Sequence, residues 1–313
     1  MNRKKESLSY HYKGIDIFPR LDLLHTYKII GSSSNQIRRD RTSCIFCKKT
    51  LSGINKTKSH LIPELFGKNI SRNNYECDSC NSLSGKWESS MGTFLTPIRI
   101  VSKIKNKKGK IPKFKSRLDE YAIQTEMFIN DSGTLKGILA TKDDLKIDDV
   151  GNGRLKFRLG QCNPFDIYKV FLKIALSLMP DDKLKKENWM IKYLFNGTND
   201  KHIFPYLYKV FLDDKMFTKA TFELRQIHQQ YKYHPQYLLT GYFGKVIIHI
   251  VLPIKKPKKK VYLQMPPILE IQKEKLDYEI EKIDLSDTEN KKWDMSFKFS
   301  SNMKPTELKY SDN

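Results

Sequence analysis

Cysteine is scarce in this chain, and so are acidic residues, tryptophan and long apolar runs. Five cysteines without a recognisable secretory leader argue against the disulfide framework of a secreted protein. The longest apolar stretch, VIIHIVLPI over residues 246–254, is too short to span a bilayer and contains His249. No internal repeat is visible, and no basic amphipathic helix with an aromatic face points to a membrane surface. We therefore expect a cytoplasmic protein with no membrane partner.

The shortage of acidic side chains is large enough to indicate a type of partner. The chain has 57 Lys and Arg against 35 Asp and Glu, a formal net charge of +22. That imbalance is far from the mixed surface of an ordinary enzyme and indicates a polyanionic partner, with nucleic acid, above all DNA, first. An AT-rich genome explains part of the lysine excess, but it does not explain the shortage of acids.

Four of the cysteines form two C-x-x-C pairs, Cys44 with Cys47 and Cys77 with Cys80. Two such pairs with a moderate gap predict a tetrahedral site for a structural Zn²⁺, a borderline-soft ion that suits four thiolates. A redox C-x-x-C motif would explain one pair but not both. The fifth cysteine, Cys162, is expected to be a small core residue near a helix start.

The segments around and between these pairs carry a resemblance to a known family. CIFC, SHLIPELFGKN and CDSCNSLSGKWESSMGTFL, within residues 42–99, resemble the zinc-containing, treble-clef type of HNH endonuclease. The resemblance implies a ββα-metal fold, in which a β-hairpin and a helix share one nuclease metal while the cysteines hold a separate zinc. It also implies a bacterial role in restriction or antiviral defence against phage.

Phosphodiester hydrolysis needs a base that activates water, a divalent cation, and cationic groups for the flanking phosphates. An imidazole titrates near neutral pH, so His60 is the candidate base, and the resemblance gives the matching histidine this role. The resemblance also places a metal ligand at Asn81, whose amide oxygen suits Mg²⁺ or Mn²⁺, and a loop-fixing asparagine at Asn73 or Asn74. The alternatives are a packed histidine at position 60 and helix N-capping by Asn81.

One position departs from the family pattern. Many HNH proteins have Asp or Glu as a metal ligand just before the base histidine, where this chain has Ser59. A hydroxyl is a poorer ligand than a carboxylate for Mg²⁺. Glu64, Asp78 or Glu88 can supply the missing carboxylate; otherwise the site is weak or inactive.

Cationic side chains near this module are candidates for phosphate contacts. Residues 102–117, SKIKNKKGKIPKFKSR, are lysine-rich and interrupted by Gly109 and Pro112, which predicts a linker or flexible arm. A second lysine cluster surrounds Pro257. For each candidate, a solvated surface residue is the alternative. The candidates are Arg38, Arg39, Arg41, Lys86, Lys107, Lys108, Lys258 and Lys259.

The chain divides into four predicted segments: an N-terminal segment 1–40, an HNH-like module 41–100, a basic linker 101–118 and a larger domain 119–313. In the module, a hairpin strand is expected to end before Pro63. A helix is expected from about Cys80 to Met91, ended by Gly92.

The larger domain is predicted to mix helices with antiparallel strands. Asn163 as N-cap and Pro164 as first residue predict the start of an amphipathic core helix, and a second helix is expected over 182–195. Strand patterns separated by turn residues occupy parts of 122–159 and 217–266. Residues 269–283 are predicted to be helical, and the chain beyond Trp293 is predicted to be loose.

These patterns predict an α+β protein with a small zinc-stabilised ββα-metal module, followed by a larger α+β domain with antiparallel strands and two or more helices. The expected function is a metal-dependent HNH endonuclease that cuts DNA. One alternative is a zinc-stabilised nucleic-acid-binding protein without catalysis. Another is a nuclease subunit that is silent until a partner or ligand activates it. The C-terminal domain would then serve DNA reading, ligand sensing, docking of a protein partner or homodimer formation.

Overall fold

The computed structural model describes most of the two predicted domains. The described residues are 10–12, 15–17, 23–30, 42–51, 59–67, 72–106, 108–112, 114–117, 124–129, 135–136, 145–147, 152–196, 205–212, 217–227, 236–253 and 279–300. They form helices and antiparallel sheets, so the α+β prediction is confirmed. Several candidates for phosphate contact, and the strand predicted at 261–265, lie outside these residues. Those candidates are Arg38, Arg39, Arg41, Lys107, Lys258 and Lys259.

The described residues include four α-helices: α1 (Asp78–Val101), α2 (Pro164–Leu178), α3 (Asp181–Lys186) and α4 (Asn188–Asn196). Helix α2 starts as predicted, because the Asn163 side chain accepts a hydrogen bond from the Asp166 N–H at 3.1 Å. The helix predicted for 182–195 is present, but Glu187 divides it into α3 and α4. Leu184 and Met190, which a continuous helix would point in different directions, are both buried. Within the described parts of the chain, no helix is long and apolar enough to cross a bilayer.

Helix α1 does not end at Gly92, as the sequence predicted, but continues to Val101. Its buried face repeats every three or four residues and includes Trp87, Met91, Phe94 and Ile98. A glycine inside a helix costs about 1 kcal/mol, whereas burial of one large apolar side chain contributes about 1.5–3 kcal/mol. The apolar side chains beyond Gly92 therefore outweigh the stop signal.

The strands pair only with antiparallel neighbours. They are β1 (Tyr10–Tyr12), β2 (Ile15–Ile17), β3 (Leu23–Ile30), β4 (Phe114–Arg117), β5 (Gln124–Ile129), β6 (Leu135–Lys136), β7 (Leu145–Ile147), β8 (Asn152–Cys162), β9 (Tyr206–Phe211), β10 (Phe217–Ile227), β11 (Tyr237–Gly244), β12 (Val246–Val251), β13 (Glu279–Asp284) and β14 (Lys291–Ser300). The largest sheet has the order β13-β9-β12-β11-β10-β3. Smaller sheets have the orders β14-β8-β7, β4-β5-β6 and β1-β2.

Two predictions for the C-terminal region are corrected by these pairings. Residues 279–284, the described end of the predicted helix 269–283, form β13, which pairs along β9 from Glu279↔Phe211 to Asp284↔Tyr206. The chain beyond Trp293 is not loose, because residues up to Ser300 continue β14 along β8. In both cases partners far away in the chain override the local preference, since a strand gains its hydrogen bonds only from its neighbours.

One hydrophobic core joins the predicted module to the large sheet. Phe66, from the segment after His60, packs its ring against three aromatic rings, with centroid distances of 5.9 Å to Phe171, 5.1 Å to Phe222 and 4.8 Å to Phe243. Phe171 belongs to α2, and the other two rings belong to β10 and β11. Edge-on and tilted aromatic contacts of this kind add to the effect of apolar burial. The segment that carries His60 is therefore packed against α2 and the large sheet.

The segment predicted as a basic linker, 101–118, is anchored at both ends. Ser102 is buried, and its Oγ accepts a hydrogen bond from the Lys245 N–H at 2.8 Å. Gly244 has a φ of +55°, and a Cβ there would lie 2.4 Å from the Ser102 Cβ, so this close approach requires glycine. At the other end, β4 pairs with β5.

A buried histidine lies on the face of the large sheet opposite to α2. His249 is fully buried, and its Nδ1 lies 2.9 Å from the Thr240 hydroxyl. Burial, and to a smaller extent the Arg225 cation, lower the pKa of His249 to about 3, and the Glu223 carboxylate opposes both. The folded protein therefore holds this ring neutral over a pH range in which an unfolded chain would protonate it.

This arrangement predicts acid sensitivity. Between the ordinary pKa of about 6.5 and the folded value of about 3, the unfolded chain binds one proton that the folded chain does not. The contribution of His249 to stability is full above pH 6.5 and falls by about 1.4 kcal/mol per pH unit below it. Urea unfolding from pH 4 to 7 should show that slope in the wild type and a smaller slope in His249→Gln. Equal slopes in the two proteins would contradict the prediction.

Candidate functional site

The four cysteines of the two C-x-x-C pairs come together as predicted. Their sulfur atoms all lie within 4.8 Å of one another, with 3.9 Å between Cys44 and Cys80 and 3.5 Å between Cys47 and Cys77. A tetrahedral zinc site with Zn–S bonds of about 2.3 Å has sulfur–sulfur distances of about 3.8 Å. The cluster is therefore compatible with a structural Zn²⁺ in both donor type and spacing.

The backbone around the cluster is shaped to hold these sulfur atoms. The turn after Cys44 is closed by hydrogen bonds from the Lys48 N–H to the Cys44 carbonyl and from the Cys44 N–H to the Lys49 carbonyl. The Cys77 N–H points to the Cys44 Sγ at 3.5 Å, and α1 starts at the next residue. The contact between the Cys44 and Cys80 sulfur atoms lowers the pKa of Cys44 to about 4, and the same contact raises the pKa of Cys80. The cluster thus favours a thiolate, the form that binds metal.

His60 lies in an antiparallel bridge with Arg72, and Arg72 Nη1 is 2.7 Å from His60 Nε2. A guanidinium group can only donate hydrogen bonds. The Nε2 atom must therefore carry a lone pair, which leaves the ring proton on Nδ1. The His60 side chain is 17% exposed, so a substrate or water can reach it. Arg72 had no motif signal in the sequence and was not predicted.

Ser59 stands at the position where a metal-binding carboxylate was expected. Its side chain is buried, and its hydroxyl donates a hydrogen bond to Glu76 Oε2. Asn73 Nδ2 donates to the same oxygen at 3.3 Å, and the Asn73 N–H donates to the Ser59 carbonyl at 3.0 Å. Of the two asparagines left open by the sequence, the buried Asn73 thus holds the His60 segment, whereas Asn74 is exposed.

One of the alternative carboxylates lies close to the histidine. Glu64, in a short 3₁₀ turn (Glu64–Phe66), places Oε1 3.6 Å from His60 Nε2. Burial raises the pKa of Glu88; the Lys173 cation opposes this, and the charges of Glu76 and Glu64 add to it. The effect of the Glu64 charge on this pKa indicates that Glu88 on α1 lies within electrostatic range of Glu64.

Asn81 lies on the face of α1 that carries Glu88, because seven residues make almost two helical turns. Its alternative role as N-cap is wrong, since Cys77 occupies that position and α1 begins at Asp78. Lys86 is exposed on α1 about 140° around the helix axis from Asn81. Lys108 is also exposed. Contact of either lysine with phosphate stays a prediction.

Two buried charged residues complete the surroundings and were missed by the sequence analysis. Lys173 Nζ is 2.8 Å from Glu76 Oε1 and 2.6 Å from Ser84 Oγ. One signal was available: Lys173 lies in a helix that is otherwise apolar almost all round, and a buried lysine requires a partner. Glu76 had no such signal. Among the described residues, no group of three or more His, Cys, Asp or Glu other than the four cysteines is close enough to share an ion.

Comparisons with known proteins do not identify a family. No family model, no curated protein and no solved structure matches this chain.

Proposed function

We propose that this protein is a metal-dependent endonuclease of the HNH type that hydrolyses phosphodiester bonds in DNA. The observation that carries the proposal is the 3.6 Å contact between His60 Nε2 and Glu64 Oε1, in a segment that lies between the two cysteine pairs and before α1, which carries Asn81 and Glu88 on one face. The order of these parts, a bridged extended pair followed by a helix, is the order that the HNH resemblance implies.

His60 is the base in this proposal. Its Nε2 lone pair can accept a proton from water, and Arg72 is the group that must leave that nitrogen first. A guanidinium binds phosphate oxygens in a forked geometry. Arg72 would thus move from the ring to a phosphate beside the scissile bond when DNA binds, which frees Nε2 at the moment when it is needed.

Asn81, Glu64 and Glu88 are the side chains that would hold Mg²⁺ or Mn²⁺. Oxygen donors of this kind, completed by water and phosphate oxygens, suit both ions. The bound ion would neutralise charge on the leaving oxygen. The Glu64 charge adds to the raised pKa of Glu88, and a bound cation would offset that repulsion.

DNA is the proposed substrate because of the charge of the whole chain. A net charge of +22 favours binding to a polyanion at low salt. That binding weakens as the salt concentration rises. The basic residues proposed to contact phosphate lie just before and within the module, in the segment after α1 and around Pro257.

The contact between Arg72 and His60 also favours a second candidate, a zinc-stabilised nucleic-acid-binding protein without catalysis. In that case the 2.7 Å contact is permanent, and the ring is a structural acceptor. A nuclease subunit that stays silent until a partner or ligand acts would show the same contact before activation.

The deciding experiment is cleavage of supercoiled plasmid by the purified full-length chain with Mg²⁺ or Mn²⁺, beside an EDTA control. The expected result is nicking or linearisation that depends on the added ion. The double variant Glu64→Gln/Glu88→Gln should need a higher ion concentration for the same rate, because neutral amides bind Mn²⁺ more weakly than carboxylates do. Glu289→Gln, an exposed glutamate away from the site, is the matched control and should behave as the wild type.

If the protein binds DNA in a salt-dependent way but does not cut it under any ion condition, the nuclease proposal is rejected and the binding protein is supported. Cutting that begins only when a cellular fraction or small ligand is added would support the silent subunit. Cutting by the double variant with an unchanged ion requirement would remove Glu64 and Glu88 from the proposed site.

A further inference from the structure

An ion pair joins the His60 segment to a helix far away in the sequence. Lys173 in α2 and Glu76, just before α1, have side chains that are 7% and 0% exposed, with Nζ and Oε1 2.8 Å apart. Burial of two charges costs more than a single ion pair returns unless further hydrogen bonds satisfy both groups. A pair at this depth is therefore weak evidence for a role in stability alone.

Both members of the pair have further partners, and these partners lead to the proposed site. Glu76 accepts from the hydroxyl of Ser59, the residue before His60, and from Asn73. Asn73 also reaches α2 through Ser177 Oγ at 3.5 Å. The two extended pieces that carry His60 and Arg72 are thus tied to α2 through buried polar contacts.

Lys173 extends the same network to α1. Its Nζ lies 2.6 Å from Ser84 Oγ, and Ser84 Oγ in turn lies 2.8 Å from the Asn81 carbonyl. Ser84 is one turn from both Asn81 and Glu88 along the helix. Lys173 therefore contacts two groups at the same time: Glu76, which holds Ser59 and Asn73, and Ser84 of α1.

We infer that Lys173 and Glu76 are positioning residues, which fix the His60 segment at a set distance from the face of α1 that carries Asn81 and Glu88. The inference rests on the proposed nuclease function and adds to it a residue more than seventy positions beyond the HNH-like module. Neither residue touches the reacting groups. Residues that orient the groups around a metal typically change activity 10- to 100-fold when they are replaced.

The test uses a variant that removes both charges, Glu76→Gln/Lys173→Met. Glutamine keeps an oxygen for Ser59, and the loss of both charges leaves no unpaired ion in the core. We expect normal zinc content and folding, a maximum rate of plasmid cleavage lowered 10- to 100-fold, and a half-saturating DNA concentration within threefold of the wild type. Lys169→Met, four residues away on α2, is the matched control: Lys169 pairs with Asp166 and lies 5.3 Å from the Trp87 ring, outside the network of Glu76 and Ser84, and its loss should leave both values unchanged.

A second readout does not depend on cleavage. The Asn73 N–H donates to the Ser59 carbonyl, so its hydrogen exchange reports how firmly the segment is held. Exchange at Asn73 should be at least tenfold faster in the double variant than in Lys169→Met, with unchanged exchange in β12. A folded double variant that cuts at the wild-type rate would overturn the inference, as would unchanged exchange at Asn73. If the wild type itself never cuts, the proposed function fails, and the exchange at Asn73 alone decides whether the pair holds the segment.

Discussion

His60→Ala is expected to lower the single-turnover rate of plasmid cleavage by about 10²–10⁴-fold, the range that a general base contributes. The variant removes the Nε2 atom that carries the lone pair, while the buried contacts of Ser59 and Asn73 that shape the segment remain. Zinc content and DNA binding should therefore stay close to those of the wild type. The maximum rate should fall, whereas the half-saturating DNA concentration should stay unchanged.

Two comparisons make this result specific to the base. Arg72→Ala should mainly weaken DNA binding, because its proposed role in the complex is to hold a phosphate. Added imidazole should restore part of the rate to His60→Ala and none to Arg72→Ala. A His60→Ala protein that cuts as fast as the wild type would show that His60 is not the base.

If the four-cysteine cluster holds the proposed Zn²⁺, its removal is expected to unfold the region around it. Zinc binding to four-cysteine and related sites contributes an apparent 10–16 kcal/mol near pH 7, which is as large as the total stability of a typical domain, about 5–15 kcal/mol. Two of the ligands, Cys44 and Cys80, are buried, and α1 starts directly after Cys77. Loss of the ion should therefore release the start of α1 and, with it, the packing of α1 on α2.

The measurement is thermal unfolding with and without a strong chelator, together with zinc content, for the wild type and Cys80→Ser. Both the chelated wild type and the variant should lose zinc and melt well below the untreated protein. Cys162→Ser is the matched control, because Cys162 is equally buried but isolated, and burial raises its pKa to about 11, so it stays a thiol. An unchanged melting temperature after complete loss of zinc would mean that the cluster is not structural.

Local signals in the sequence were enough for some parts of the molecule. The cap at Asn163 and the proline at 164 predicted the start of α2, and strand-like runs predicted antiparallel strands within 217–266, where β10, β11 and β12 lie. The two C-x-x-C pairs predicted the cysteine cluster because metal ligands come in short spaced pairs along the chain. For the helix, for the strands and for each cysteine pair, the information lies within a dozen residues, although the two pairs are 30 positions apart.

Other parts depend on contacts that no short window contains. The continuation of α1 beyond Gly92, and the strands β13 and β14, are decided by packing and pairing with distant residues. The candidate site shows the same division: His60, Asn81 and Glu88 could be proposed from motif positions, but Arg72 could not. The pair of Glu76 and Lys173 exists only when α2 is folded against the His60 segment.

The position of β3 at one edge of the large sheet determines when that sheet can be completed. Ile30 of β3 pairs with Thr221 of β10. A ribosome that adds about 5–20 residues per second needs roughly 10–40 s to make the about 190 residues between them. During that time β3 has no strand beside it, and its open backbone is a target for wrong partners. The pairing of β3 with β10 is therefore a late step in the folding of each new chain, and it follows the synthesis of both α1 and α2.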